Sequence, residues 1–360
     1  MVKVAVMWNP WLRGDARGGI LFVVAVLFFL AGCSAAGGSV GAAARVGAVR
    51  VGVPVHDLVW SAHAHALFAL TDDRRIAKID LSEQSSAAPK VGTTLSEPFV
   101  DSGDDLVTDA THAVVYLPQP KLGRVAVLSD GDVREVKAMV AGPSPSFLAL
   151  DSGSAHLLAL SADRSTVTPV DVHNDMVLPS QQVPAGPGAR VEGATRGRLL
   201  DYHLSGPGGI THYKGSPGSV QREGAIGISA EKAVGDVVTS SRLYVAEKGT
   251  DRIFAVDSQR SGEGLEVVAQ AHLGEPVHYL GVDETRVYAA TEHRLVVLAT
   301  NSFEGYHDQI FPILTTIDFR SALQGEAKQA PLSGLAVGPE RVYLALQGQP
   351  YVVSVAKPSL

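Results

Sequence analysis

The sequence predicts an all-β fold, seven four-stranded antiparallel blades closed into a β-propeller, and three observations carry that prediction. A strand–turn–strand unit recurs seven times at intervals near 45 residues. Glycine and proline, 37 and 20 of 360 residues, punctuate the whole chain and leave little room for long helices. The last repeat also lacks a strand that a run near the N-terminus is free to supply.

Residues 1–32 read as an export signal rather than part of the fold. Lys3, Arg13 and Arg17 against Asp15 give a positive start, and Ile20 through Leu30 are uninterruptedly apolar. As a helix that run would cover about 16 Å, roughly half of a ~30 Å hydrocarbon core, too short for a stable span. It ends in Leu30-Ala31-Gly32-Cys33, which resembles the lipobox of bacterial lipoproteins. The resemblance implies cleavage after Gly32 and a diacylglyceryl thioether on Cys33, hence persistent anchoring on the outer face of the cytoplasmic membrane. Cys33 is the only cysteine, so no intrachain disulfide can form and the exported chain must be stable by packing alone. Cleavage removes three basic side chains and one acidic, taking the net charge from -7 to -9. Residues 33–45, rich in serine, glycine and alanine, follow as a flexible tether.

The body, residues 46–360, is where the repeat lies. Its clearest copy is Arg242-Leu243-Tyr244-Val245-Ala246, a turn through Lys248-Gly249-Thr250-Asp251, then Arg252-Ile253-Phe254-Ala255-Val256-Asp257. Taking Phe68, Tyr116, Leu158, Leu200, Tyr244, Tyr288 and Tyr343 as equivalent points, the spacings are 48, 42, 42, 44, 44 and 55. Each copy follows a short apolar run, such as Asp57-Leu58-Val59-Trp60 or Tyr279-Leu280-Gly281-Val282, that reads as an innermost strand. Most precede a fourth run, such as Val133 to Val140 or Leu265 to Ala269. After Tyr351 to Val355 only five residues remain, so Val46 through Val53 are expected to serve as the outer strand of the last blade. The segment Leu243 to Asp257 resembles a blade core of the YVTN and NHL class of propellers. The chain as a whole is similar to the conserved propeller lipoproteins of mycobacteria and related actinobacteria, at the level of repeat pattern over roughly residues 43–357.

Propeller ligands are expected where the central channel opens at the starts of the inner strands. Candidates placed there by the sequence are Asp57, Asp105, Asp236 and His278, with His56 and Asp104 beside two of them. Converging carboxylates and imidazoles suit a divalent cation, while the plainer reading is that an aspartate before a strand caps its own turn. The recurring Arg74, Arg164, Arg252 and Arg294 read as turn residues making local bonds, and His63 with His65 as surface histidines. The long interval before the last blade, 301–329, concentrates aromatics, among them Phe303, Tyr306 and Phe311. It is read as a candidate docking insertion on the channel-mouth face, with a short helix over Phe319 to Lys328.

Several functions are excluded or weakened. No run of five like charges exists, which argues against nucleic acid. There is no Gly-x-Ser-x-Gly, no Walker-type loop and no His-Glu-x-x-His. The mature chain keeps one tryptophan, Trp60, which excludes the docking repeats of quinone-dependent propellers, and its only asparagines, Asn174 and Asn301, precede no inner strand. That is a departure from lactonase-type propellers, which hold calcium with such a residue. The expectation is therefore a non-enzymatic, lipid-anchored binding or scaffolding module for an envelope protein or glycan, with no cofactor beyond the lipid on Cys33. The alternative is a metal-dependent lactonase or hydrolase with its site at the channel mouth.

Overall fold

A computed structural model describes residues 46–81, 91–193, 199–239, 241–258 and 264–359. The export signal, Cys33 and the tether lie outside the described residues. The chain forms seven antiparallel blades in a ring, the first six running from an innermost strand outward in chain order and the seventh completed by an N-terminal strand. Blade 1 is Val55–Ser61, Ala66–Thr71, Ile76–Leu81 and Val91–Leu95. The innermost strands of blades 2 to 7 are Val107–Asp109, Pro145–Leu150, Arg190–Gly193, Ala230–Gly235, Val277–Val282 and Leu332–Val337. Blade 3 splits its outer strand into two short pieces, Met176–Val177 and Gln181–Gln182, both paired with Thr166–Asp171.

Burial explains the pattern along each repeat. A blade is pressed between two neighbours, so its second strand must be apolar on both faces; Ala66–Thr71 and His156–Ser161 are buried at every residue. Outer strands face water, and in Glu135–Val140 only Met139 is buried. Between blades the side chains form successive apolar clusters. Phe68 and Leu70 meet Val115 and Leu117; Tyr244 meets Val287; Tyr288 meets Val342. A further cluster joins Tyr343 and Val352 of blade 7 to Leu67 and Ile79 of blade 1, which closes the ring. Each such buried side chain contributes about 1.5–3 kcal/mol, so closure rests on apolar area as much as on hydrogen bonds.

The closing strand is Val46–Arg50, shorter than the eight residues expected, and it pairs antiparallel with Tyr351–Val355. Beyond Arg50 the N–H groups of Val51 and Gly52 both donate to the Pro350 carbonyl, at 2.9 and 3.0 Å, which turns the chain off the edge toward blade 1. In blade 4 the second strand is Leu200–Gly206, and the residue equivalent to Tyr116 and Tyr244 is Tyr202, not Leu200. Residues 319–328 form two 3-10 turns, Arg320–Ala322 and Gly325–Lys328, in place of the expected short helix. No helix of the described residues is long and apolar enough to cross a membrane.

Candidate functional site at the channel mouth

Because each blade is antiparallel, its innermost and third strands run from one face of the ring to the other, and the second and fourth return. The face where inner strands begin, here the top, therefore carries the second-to-third turns and the connections between blades. The bottom carries the first-to-second and third-to-fourth turns. Five inner strands bulge near their top ends, at Asp57-Leu58, Ser146, Glu231, His278 and Ser333. A bulge adds an unpaired residue and re-aims its neighbours, so side chains that strict alternation would hide are turned toward the axis. Asp57 takes a left-handed φ of 48°, a conformation that aspartate tolerates better than most residues. Gly334 of blade 7 passes so close that a Cβ there would lie 2.8 Å from the Leu58 nitrogen and 3.0 Å from the Asp57 nitrogen.

At this mouth the structure brings Asp57 of blade 1, Asp105 of blade 2 and Glu192 of blade 4 into one electrostatic cluster with Arg190 and Lys232. All five are half-buried. Burial away from bulk water pushes the Asp57 carboxyl well up, and the charge of Asp105 pushes it further; Lys232, Arg190 and the Leu106 N–H pull it back. Burial raises Asp105 less, because the Leu148 N–H donates to its Oδ2 at 2.7 Å and the two cations also favour its charge. Glu192 is pushed up to about 8, first by burial and then by Asp105, against the opposing pull of Lys232 and Arg190. The cations are not paired with these carboxyls. The Arg190 guanidinium lies 4.1 Å from the centre of the Phe147 ring, and the Lys232 ammonium 4.9 Å from that of Tyr279. Asp57 Oδ2 is enclosed and without a hydrogen-bond partner. A cleft of about 550 Å³ opens beside the cluster over blades 1 to 3, lined by His56, Arg74, Asp101, Asp104, Lys121 and Phe147. A larger groove, about 610 Å³, runs past Phe99, Arg124 and Glu135 and carries none of the axial residues.

Asp57 and Asp105 thus meet at the top, and His278 occupies the bulge of blade 6 beside Tyr279. Asp236 does not join them. It follows the end of its inner strand, on the bottom face, where Oδ1 accepts the Val238 and Thr239 N–H groups and Oδ2 accepts the Tyr244 hydroxyl. Asp109 and Asp283 do the same for Tyr116 and Tyr288, so this aspartate is a turn cap recurring with the blade. Of the 301–329 insertion, only the later part, the between-blade connection at 319–329, lies on the mouth face; the part that carries the proposed docking aromatics does not. Residues 301–312 link the third strand of blade 6 to its fourth and so fall on the bottom face. Phe311 is buried against Tyr244, Tyr306 meets Phe311 edge-on beneath Arg242, and only Phe303 is exposed. Of the three proposed docking aromatics, Phe311 is therefore core and Tyr306 is half-buried against it.

Among the described residues, no three His, Cys, Asp or Glu side chains converge as a metal set. The sequence reading missed Arg190, Glu192 and Lys232. Their signal was available, since an innermost strand such as Arg190-Val191-Glu192-Gly193 has no reason to carry charge unless something polar meets it.

No protein-family model and no curated protein matches this chain. Solved structures do. The chain resembles the Kuenenia stuttgartiensis hydrazine synthase, with 12% identity over 86% of this chain and 97% of that one, TM-score 0.61. A chain of the mitotic checkpoint complex gives 12% identity, 93% and 99% coverage and TM-score 0.62. U3-55K gives 11%, 88% and 99%, with TM-score 0.61. At such identities the likeness is one of fold: the protein is a seven-bladed β-propeller. These neighbours include an enzyme and a member of a complex, and the fold alone does not choose between such roles.

Proposed function

We propose that this protein is a binding module of the cell envelope, of the YVTN-like propeller lipoprotein kind. Lipid on Cys33 tethers it to the outer face of the bacterial cytoplasmic membrane, and it takes a hydroxyl-rich group, as a glycan presents, at its channel mouth. The observation that carries the ligand reading is the axial cluster. Its carboxyls are held between protonated and ionised, so they can both donate to and accept from hydroxyls, while Arg190 and Lys232 sit on aromatic faces with donors to spare. The unpartnered Asp57 Oδ2 is an acceptor that a ligand hydroxyl would satisfy. The anchor rests on Leu30-Ala31-Gly32-Cys33 and would concentrate the site at the membrane.

Two measurements test this. Cys33→Ser should release the protein from the membrane fraction, and mass spectrometry of the wild-type N-terminus should show the acylated cysteine. Calorimetry with cell-wall oligosaccharides should show binding that Asp57→Asn with Asp105→Asn removes; retention of full affinity in that double variant would overturn the site. One observation favours a hydrolase as the second reading: neighbouring carboxyls with separated proton affinities are what acid–base hydrolysis uses. Turnover of lactone or glycoside substrates that is lost in Glu192→Gln would establish it.

A further inference from the structure

The bottom face carries a series of latches in which the first-to-second turn of one blade grips the next blade. From blade 1 to blade 2, His63 Nδ1 and Ser61 Oγ both meet Asp130 Oδ2 at 3.0 Å. From blade 5 to blade 6, Ser302 donates to Asp236 at 2.6 Å. From blade 6 to blade 7, Lys357 donates to Asp283 at 2.7 Å. Each of these joins a donor to a carboxylate. The latch from blade 2 to blade 3 is different, because it sets two imidazoles edge to edge: His112 Nε2 lies 2.8 Å from His173 Nδ1, with the rings tilted by 55°.

His112 is oriented for more than that contact. Its Nδ1 hydrogen points at Oδ2 of the fully buried Asp109, 2.7 Å away, and Asp109 is itself fixed by the Thr111 and His112 N–H groups and the Tyr116 hydroxyl. The carboxylate therefore dictates the tautomer and leaves the Nε2 lone pair bare and aimed at His173. A buried carboxylate behind an imidazole is the arrangement that orients metal-ligating histidines and raises their basicity. We propose that His112 and His173 are the two protein ligands of a divalent transition-metal site of the zinc class, bridging blades 2 and 3 on the bottom face. Zinc–nitrogen bonds of about 2.05 Å at a tetrahedral angle place two ligand nitrogens roughly 3.3 Å apart. The latch must open by only about 0.5 Å, and His173, on an exposed turn, can supply that movement. On binding, His173 carries its proton on Nε2, and two metal–nitrogen bonds replace the single hydrogen bond. Two imidazoles select zinc, copper or nickel over calcium and magnesium, which prefer oxygen. With no third His, Cys, Asp or Glu in reach among the described residues, water fills the remaining positions.

The test is calorimetric titration of the full-length protein in detergent with Zn(II), with Ca(II) and Mg(II) alongside. One equivalent of Zn(II) should bind in the micromolar range. His173→Ala, which removes an exposed side chain and leaves the fold intact, should weaken binding at least tenfold, as should His112→Ala; Asp109→Asn should cost about 10–100-fold. Zn(II) should also raise the melting temperature of wild type but not of His173→Ala. Absence of saturable Zn(II) binding, or unchanged affinity in His173→Ala, would overturn the proposal, and so would a stronger response to Ca(II).

Discussion

Replacing Glu192 by glutamine should make the protein more stable at pH 8 and leave it unchanged near pH 4.5. The glutamate is pushed up to about 8 in the folded chain, against 4.5 ordinarily. The folded state therefore holds a proton that the unfolded state releases between those values, and stability falls as pH rises from 4.5 to 8. Below 4.5 both states are protonated and nothing is lost; above 8 the loss is complete. At about 1.36 kcal/mol per unit the whole interval amounts to about 5 kcal/mol. Glu192 is half-buried rather than enclosed, so partial screening by channel water brings this down to about 2–3 kcal/mol. Glutamine imitates the protonated acid in size and cannot ionise, so it escapes the loss. At roughly 2.1 cal/mol/K per residue for a domain of this size, the gain at pH 8 is about 3–5 °C in Tm. Scanning calorimetry of both proteins from pH 4.5 to 8.5 measures it, and the contributions of Asp57 and Asp105 largely cancel in the difference. Parallel Tm curves across that range, or a variant less stable at pH 8, would show that Glu192 ionises normally and that the mouth is more open than its geometry implies.

Other consequences are as direct. If Val46–Arg50 closes the ring, its amides should resist hydrogen exchange as well as those of 351–355, and Val49→Asp, which buries a charge in the cluster joining blades 7 and 1, should cost more than about 3 kcal/mol in urea unfolding. Gly334→Ala should cost about 1–3 kcal/mol and weaken any channel-mouth ligand, since its Cβ would press on the Asp57 backbone. Arg242→Ala should cost about 3–5 kcal/mol, because the buried guanidinium holds Asp257 through two hydrogen bonds and reaches the Thr300 and Asn301 carbonyls. His203 is enclosed between blades, and burial first, then His212, lowers it to about 3. The unfolded chain takes up that proton below about 6.5, so stability falls from pH 6.5 toward 3, and His203→Phe should flatten that acid limb in the same calorimetric series.

The fold was legible because a propeller writes its core twice over. Second strands such as Leu67-Phe68-Ala69-Leu70 must be apolar on both faces, and that demand recurs at every blade. Even the missing strand could be found by asking which apolar run had no partner. The repeat misled where blade 4 drifts, since Leu200 is apolar like Tyr202 and nothing local separates them. Asp236 was misplaced for a different reason. An aspartate flanking an inner strand reads the same at either end, and only the ladder shows that the strand stops at Gly235, which puts the carboxylate with the Tyr244 hydroxyl on the bottom face.

The axial site was half legible, and the missing half shows where function enters a repeat. Asp57 and Asp105 were visible as acids near strand starts; Lys232 was missed where the Glu231 bulge breaks the two-residue alternation by which a side chain's face is inferred, whereas Arg190 and Glu192 sit on an unbulged strand and show only as charges in a short inner run. The bulges recur in five blades, but what they present does not: a carboxylate in blade 1, Ser146 in blade 3, Glu231 ahead of Lys232 in blade 5, His278 in blade 6, Ser333 in blade 7. A feature that repeats with the blade, like the Asp–Tyr turn cap, serves the blade. A feature whose backbone repeats while its side chains differ serves the one place where all blades meet, and there the carboxyls of blades 1, 2 and 4 face cations from blades 4 and 5. Such an asymmetric charge set does nothing for ring closure, which the apolar clusters already secure. Its cost, carboxyls kept away from bulk water, is the same quantity that Glu192→Gln would recover.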